Sequence, residues 1–172
     1  MWQSVLQTPL QNNSGRYLIV DEISEVTEGS WETSAPVSTN ARSRFDAATV
    51  GVLATVNNDG SPNLVPITYA LVGNKLVTGV DHKPKRTTDL VRLANIRHNP
   101  HVTVLVQHYE PDWSKLWWAR ADGKAIIVNP GHQNHGAAAE LLADRYRQYR
   151  DRPISGPIIE VDIHRWSEWS AS

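Results

Sequence analysis

Apolar and polar positions fall into a regular pattern only from Arg42 onward. Gly51-Val-Leu-Ala-Thr-Val56 has the short apolar, β-branched character of a strand, and the cluster Asn57-Asn-Asp-Gly60 supplies the turn after it. Pro62 to Val72 reads as a second strand, Gly73-Asn74 as a turn and Lys75 to Val80 as a third strand, which predicts an antiparallel meander. Pro66 lies inside the second strand. Proline cannot donate to a ladder, so that strand must be bulged or have a free edge there, and a free edge can face a ligand. Beyond it the period changes: Leu90, Leu93, Ala94 and Arg97 recur at helical spacing, with Thr87 or Thr88 available as the N-cap. His101 to His108 and Leu116 to Val128 read as strands, His135 to Tyr149 as an Ala-rich helix, and Pro157 to Trp166 as the last strand. With a short helical lead-in over Ser43 to Ala48, the pattern predicts a mainly β domain. Six antiparallel strands and two or three short helices fit a small β-barrel carrying helices on its rim.

Residues 1–40 differ from the rest: they are polar and acidic, rich in Ser, Thr, Gln and Asn, with Tyr17-Leu-Ile-Val20 as the one apolar run. They form an N-terminal extension to a domain over 41–172. Three readings of it stay open: a flexible tail, a strand added through Tyr17 to Val20, or a start codon assigned too early. At 172 residues with 40% hydrophobic content, the chain has material for one core. It has no cysteine, which rules out disulfides and thiolate metal sites and fits a reducing, cytoplasmic setting. No run approaches the roughly 20 apolar residues that cross a bilayer, and no signal-peptide pattern opens the chain, so no membrane association is expected.

The net charge of −1 conceals an asymmetry, because residues 1–40 hold one Arg against five acidic residues and the remainder is mildly basic. Much of the excess lies between His82 and His98, where five Lys and Arg residues face the single acid Asp89. In Asp81-His-Lys-Pro-Lys-Arg-Thr-Thr-Asp89 these cations fall between a strand and a helix. A helix start offers unpaired N–H groups and partial positive charge, so Lys83, Lys85, Arg86 and Thr87 are candidates to hold a phosphate or another multiply charged anion. So local a cluster suits a small polyanion; a nucleic-acid binder more often shows a basic face over the whole domain.

These residues carry a family resemblance. Gly51-Val-Leu-Ala-Thr-Val-Asn-Asn-Asp-Gly-Ser-Pro-Asn-Leu-Val-Pro66, the basic junction and Asn99-Pro-His-Val-Thr-Val-Leu-Val106 resemble the pyridoxamine 5′-phosphate oxidase-like, flavin-binding split β-barrel superfamily. Asp81-His-Lys-Pro-Lys-Arg-Thr87, Asp112-Trp-Ser-Lys-Leu-Trp-Trp118 and Pro153 to Trp166 resemble, more narrowly, its deazaflavin (coenzyme F-420)-dependent oxidoreductases. The likeness runs from about Arg44 to Trp169. It implies a homodimer that binds a flavin or deazaflavin in a groove between subunits. Lys83, Lys85, Arg86 and Thr87 would hold the phosphate or coenzyme tail. Val65, Pro66, Ile67 and Thr68 would lie under the ring, and Trp117 or Trp118 would approach from the partner subunit or shape the substrate pocket. One departure matters: the Arg-rich second strand ending in Leu-Leu-Lys of true pyridoxamine phosphate oxidases is replaced by Asn63-Leu-Val-Pro-Ile-Thr-Tyr69. That counts against the usual FMN site and the vitamin substrate.

The chemistry implied is hydride transfer carried by the coenzyme, for which a protein must position, exclude water and perform at most a proton transfer. No Ser-His-Asp triad, His-Glu-x-x-His or P-loop motif competes with it. Tyr69, His82 and His108 are candidate proton donors, beside solvent. Each feature also has a plain structural reading. The basic run would be a solvated loop, Trp113, Trp117 and Trp118 would be core or dimer packing, and His132 and His135, three apart with no third ligand in sight, a loop near a helix start. Two alternatives to the deazaflavin enzyme with a small conjugated substrate follow from the same fold: an FMN-dependent oxidoreductase, and a non-catalytic flavin- or haem-binding protein.

Overall fold

The computed structural model describes residues 39–80 and 90–171. Helix α1 (Thr39–Ala47) leads into β1 (Gly51–Val56), β2 (Pro62–Ile67), β3 (Ala70–Val72) and β4 (Lys75–Gly79). Helix α2 (Val91–His98), β5 (His101–His108), a 3-10 turn over Trp113–Lys115 and β6 (Trp117–Val128) follow. Helices α3 (His135–Arg145) and α4 (Arg147–Asp151) and strand β7 (Ile158–Ser170) complete the domain.

The strands form one antiparallel sheet in the order β2-β1-β5-β6-β7-β4-β3. The expected six-stranded split β-barrel is corrected: among the described residues the sheet has seven strands and is not closed. The extra strand arises because Pro62 to Val72 is interrupted at Thr68-Tyr69. There the Tyr69 N–H donates to the Tyr146 hydroxyl at 3.1 Å, and the Thr68 and Tyr149 hydroxyls are 2.8 Å apart. The backbone leaves one ladder for side-chain partners and then joins another, so β2 and β3 end as the two opposite edges of the sheet.

Three boundaries also differ from expectation. Helix α2 begins at Val91 with Leu90 in the N-cap place and no side-chain cap; Thr87 and Thr88, the expected caps, lie outside the described residues. The physical reason is burial: Leu93 and Ile96 enter the core and Leu90 packs against it, which sets the first turn. The Ala-rich helix breaks at Tyr146, whose extended backbone (φ −124°, ψ 117°) separates α3 from α4. Strand β7 continues past Trp166 to Ser170, paired along its length with β6.

Two apolar clusters hold the fold. The larger packs Ala41 and Phe45 of α1 and Leu93 and Ile96 of α2 against Leu53, Val104, Ala119, Ala121, Val161 and Ile163 of the sheet. The smaller packs Ala138, Leu142, Tyr146 and Tyr149 against Val77, Val128 and Ile158. Because alternate strand residues point to opposite faces, Leu76 and Ile159 in the first cluster and Val77 and Ile158 in the second put α3 and α4 on the other face of the sheet, at its β3-β4 end. The outer face of β2, β1, β5 and the amino-terminal half of β6 carries no helix among the described residues.

Candidate functional site

The outer face is built by register. Pro66 pairs with Val52, Val52 with Leu105, Leu105 with Arg120 and Arg120 with Ser167, which forms one row across five strands. The neighbouring row runs Leu64, Ala54, Thr103, Asp122, Arg165. On the other side of the first row Trp118 stands between Gln107 and Trp169. Leu64 is 60% exposed and Trp169 45%, while Val52, Ala54, Leu105 and Trp118 are half-buried. The result is a largely apolar platform bounded by an edge strand on one side and by charge on the other.

Alternation divides the residues expected under a ring. Pro66 faces outward with Leu64. Ile67 is buried in the core, Val65 packs against that core, and the Thr68 hydroxyl is bonded to Tyr149. From β2, then, Pro66 and Leu64 present side chains to the outer face. Pro66 stands on an edge strand, as its missing N–H requires.

The tryptophans divide in the same way. Trp118 lies on the outer face opposite Trp169. Trp117 turns to the core side, where the Arg44 guanidinium lies 5.0 Å from its ring centroid and His108 stacks on it at 6.2 Å. Arg44 also donates to the carbonyls of Trp118 (3.3 Å) and Trp169 (2.8 Å), tying α1 to the ends of β6 and β7. Trp113, 78% exposed on the β5–β6 connection, belongs to neither cluster.

Lys83, Lys85, Arg86 and Thr87 lie outside the described residues. The start of α2 at Val91 bears on them, since the helix N-terminus stands after the basic run and not within it.

Of the candidate proton donors, Tyr69 is fully buried and its hydroxyl donates to the carbonyls of Phe45 (2.7 Å) and Ala48 (3.1 Å). Burial holds its phenol well above the usual tyrosine range. It caps the end of α1 and does not reach the outer face. His108 lies beside Trp117 with its Nε2 3.5 Å from Glu110, and His82 is outside the described residues. His132 accepts the Asn134 N–H through Nδ1 at 3.1 Å, and His135 Nε2 is 2.9 Å from the Gly156 carbonyl. Among the described residues no group of three His, Cys, Asp or Glu side chains could hold a metal ion, and no helix is long and apolar enough to cross a membrane.

The charged boundary escaped the sequence reading. Asp122 is 8% exposed; Thr103 donates to its Oδ1 at 2.7 Å, and its Oδ2 lies 2.9 Å from Arg165 Nε and 3.3 Å from Arg120 Nε. The available signal was Arg120-Ala-Asp122 at the period of a strand face, with Gly123 after it.

An open antiparallel sheet with short helices and an edge proline is the frame of a split-barrel domain. The chain belongs to the pyridoxamine 5′-phosphate oxidase family, whose sequence model matches residues 38–170. Among solved structures, a conserved hypothetical protein from Mycobacterium tuberculosis is 18% identical with a TM-score of 0.62, over 80% of this chain and 86% of that one. An FAD-binding protein from Mesorhizobium loti is 20% identical with a TM-score of 0.57 (76% and 92% covered). The haem storage protein HutZ from Vibrio cholerae is 13% identical with a TM-score of 0.60 (77% and 93% covered). At these identities the three share the fold with this chain.

Proposed function

We propose that this chain is a homodimeric oxidoreductase that uses the deazaflavin coenzyme F-420 and transfers hydride to a small conjugated organic substrate. The observation that carries the reading is the composition of β2. It is an edge strand beside the apolar platform, and Pro62-Asn-Leu-Val-Pro-Ile67 contains no cation. A ring fits against Pro66 and Leu64, whereas a phosphate finds no partner on that strand. The anion therefore falls to Lys83, Lys85, Arg86 and Thr87, and three cations in four residues suit the longer, more acidic deazaflavin tail better than a single phosphate. Family membership supports a flavin-type cofactor in general.

The bound coenzyme supplies hydride chemistry at its own ring. The residues of the chain bind and orient: Pro66, Leu64, Val52 and Leu105 offer apolar contact that excludes water, Trp118 bounds the platform, and the basic run holds the tail. A second copy over the outer face would close the groove and cover Trp169 and Leu64. Tyr69 has no part as a proton donor, because its hydroxyl is committed to two carbonyls inside the core.

The test is a side-by-side fluorescence titration of the purified protein with FMN and with coenzyme F-420. Preferential binding of the deazaflavin is expected. Preferential FMN binding would replace the coenzyme in this reading, and binding of neither, with haem taken up instead, would remove the enzymatic reading.

A further inference from the structure

We propose that Arg120 and Arg165 form a subsite for the anionic group of an apolar, fused-ring ligand lying on the outer face of the sheet. The inference rests on the same apolar platform as the coenzyme reading but not on the basic junction, because it places the anion at the β6–β7 end of that face. It begins with a bulge. Asp122 pairs with Arg165 and Gly123 with Ile163, so His164 is the extra residue on β7. Ile163 lies in the core and Trp166 packs against it, with both His164 and Arg165 exposed between them. Strict alternation from Ile163 would send Arg165 inward; the bulge turns it outward beside Asp122. Gly123 makes this close approach possible, because a Cβ there would lie 2.4 Å from the Asp162 carbonyl oxygen. Bulges of this kind commonly re-aim a side chain near a site.

The pair is also over-charged for what it meets. Two guanidinium groups share one carboxylate, and both approach it through Nε. Among the described residues their Nη groups make no hydrogen bond or ion pair. Arg165 is held in orientation by the hydrogen bond from its Nε to Asp122, while Arg120 Nε is within ion-pair range of the same oxygen without a hydrogen bond. The terminal donors of both, which suit a carboxylate, phosphate or sulfonate, stay available. The residual charge of the trio is positive.

The neighbouring row fixes what accompanies the anion. Pro66, Val52 and Leu105 lead directly to Arg120, an apolar span of about 10 Å at ordinary strand spacing. A ligand with a flat hydrophobic body and an acid group at one end matches both features.

The probes are 8-anilinonaphthalene-1-sulfonate and N-phenyl-1-naphthylamine, which share their rings and differ by the sulfonate. Fluorescence titration of the full chain is expected to show tighter binding of the sulfonate, weakening as NaCl is raised. Arg120→Gln and Arg165→Gln should each raise the dissociation constant of the sulfonate probe about tenfold and leave that of the neutral probe unchanged, the scale of losing a charge-assisted contact. Lys85→Ala should change neither. Unaltered sulfonate affinity in both arginine variants overturns the proposal, and so does a loss that appears in Lys85→Ala instead. A change of oligomeric state in the arginine variants with probe affinity unchanged would also overturn it, because the pair would then meet a carboxylate of a second copy. Should the glutamine variants fail to fold by circular dichroism, Arg120→Lys and Arg165→Lys keep the charge opposite Asp122 and lose the fork. They should still weaken the sulfonate probe selectively, and sulfonate binding insensitive to salt in the unaltered protein overturns the proposal without any variant.

Discussion

The Tyr146 hydroxyl lies 3.1 Å from the Tyr69 amide nitrogen, which donates to it, and 2.8 Å from the Tyr69 carbonyl, to which it donates. The same hydroxyl is 2.8 Å from the Thr49 carbonyl. One side chain therefore satisfies the backbone at the point where β2 and β3 part, in place of the sheet ladder. Tyr146→Phe should cost about 1–3 kcal/mol, the penalty for leaving buried backbone groups without partners. Tyr149→Phe, which removes one partly buried contact with Thr68, should cost less, about 0.5–1.5 kcal/mol. Urea unfolding of the two variants measures the difference, and an equal or reversed order would show that Tyr146 does not hold the break.

That break was not legible in the sequence, because it depends on a residue 77 positions away. What was legible is local. Pro66 announces a free edge through its own missing N–H, and β2 is an edge strand. The turn residues Asn57 to Gly60 and Gly73-Asn74 mark the hairpins as expected, with Gly60 and Gly73 at positive φ. The start of α2 was misread because threonine is a good cap in isolation, whereas burial of Leu93 and Ile96 decides where the helix begins. The arginine pair was hidden for a related reason: its geometry exists only once β6 and β7 are in register around the bulge. Val65 and Ile67 turn inward by plain alternation, which the sequence does contain.

Glycine substitutions separate the bulge from an ordinary close contact. A Cβ at Gly123 meets the Asp162 carbonyl at 2.4 Å and Val161 at 2.6 Å, so backbone must move. At Gly79 the nearest atom is the Ile154 Cδ1 at 2.3 Å, the end of a side chain that can rotate away. Gly123→Ala should destabilise by about 1–3 kcal/mol or more, on the scale of overpacking, and Gly79→Ala by less. Thermal melts of both give the order, and a milder effect at Gly123 would contradict the register around His164.

The buried phenol of Tyr69 gives a pH dependence with a definite sign. Burial raises its folded-state value above the unfolded value of about 10, so the native state keeps a proton that the unfolded chain gives up. This contribution to stability is complete below about pH 10 and falls as the pH rises further towards the folded-state value. Tyr69→Phe lacks the titration and also loses the bonds to Phe45 and Ala48. The variant should be less stable at pH 8, with the gap narrowing above pH 10. Denaturant unfolding at pH 8, 9.5 and 10.5 checks this, and a constant gap would refute it.

The proposed dimer places a charge test on the outer face. Leu64 is exposed on the edge strand in a row with Ala54, so a carboxylate there costs the isolated chain little. Buried between two copies, the same carboxylate would lose its hydration without a partner. Leu64→Asp should leave the circular dichroism spectrum unchanged and shift sedimentation from dimer to monomer. A variant that stays dimeric would move the self-association surface off this face.

The coenzyme tail is tested through the basic run itself. If Lys85 and Arg86 hold it, Lys85→Ala and Arg86→Ala should each weaken coenzyme F-420 binding by about 1–3 kcal/mol, the usual scale for one charge-assisted hydrogen bond. The loss should shrink as salt rises, because part of it is screened. Pro66→Ala supplies the contrast, since it alters contact with the ring and not the charge, and its effect should be insensitive to salt. Fluorescence titration at two ionic strengths distinguishes the three. Unchanged affinity in both charge variants would move the phosphate site to another part of the chain, whereas a salt-independent loss in them would point to an altered loop.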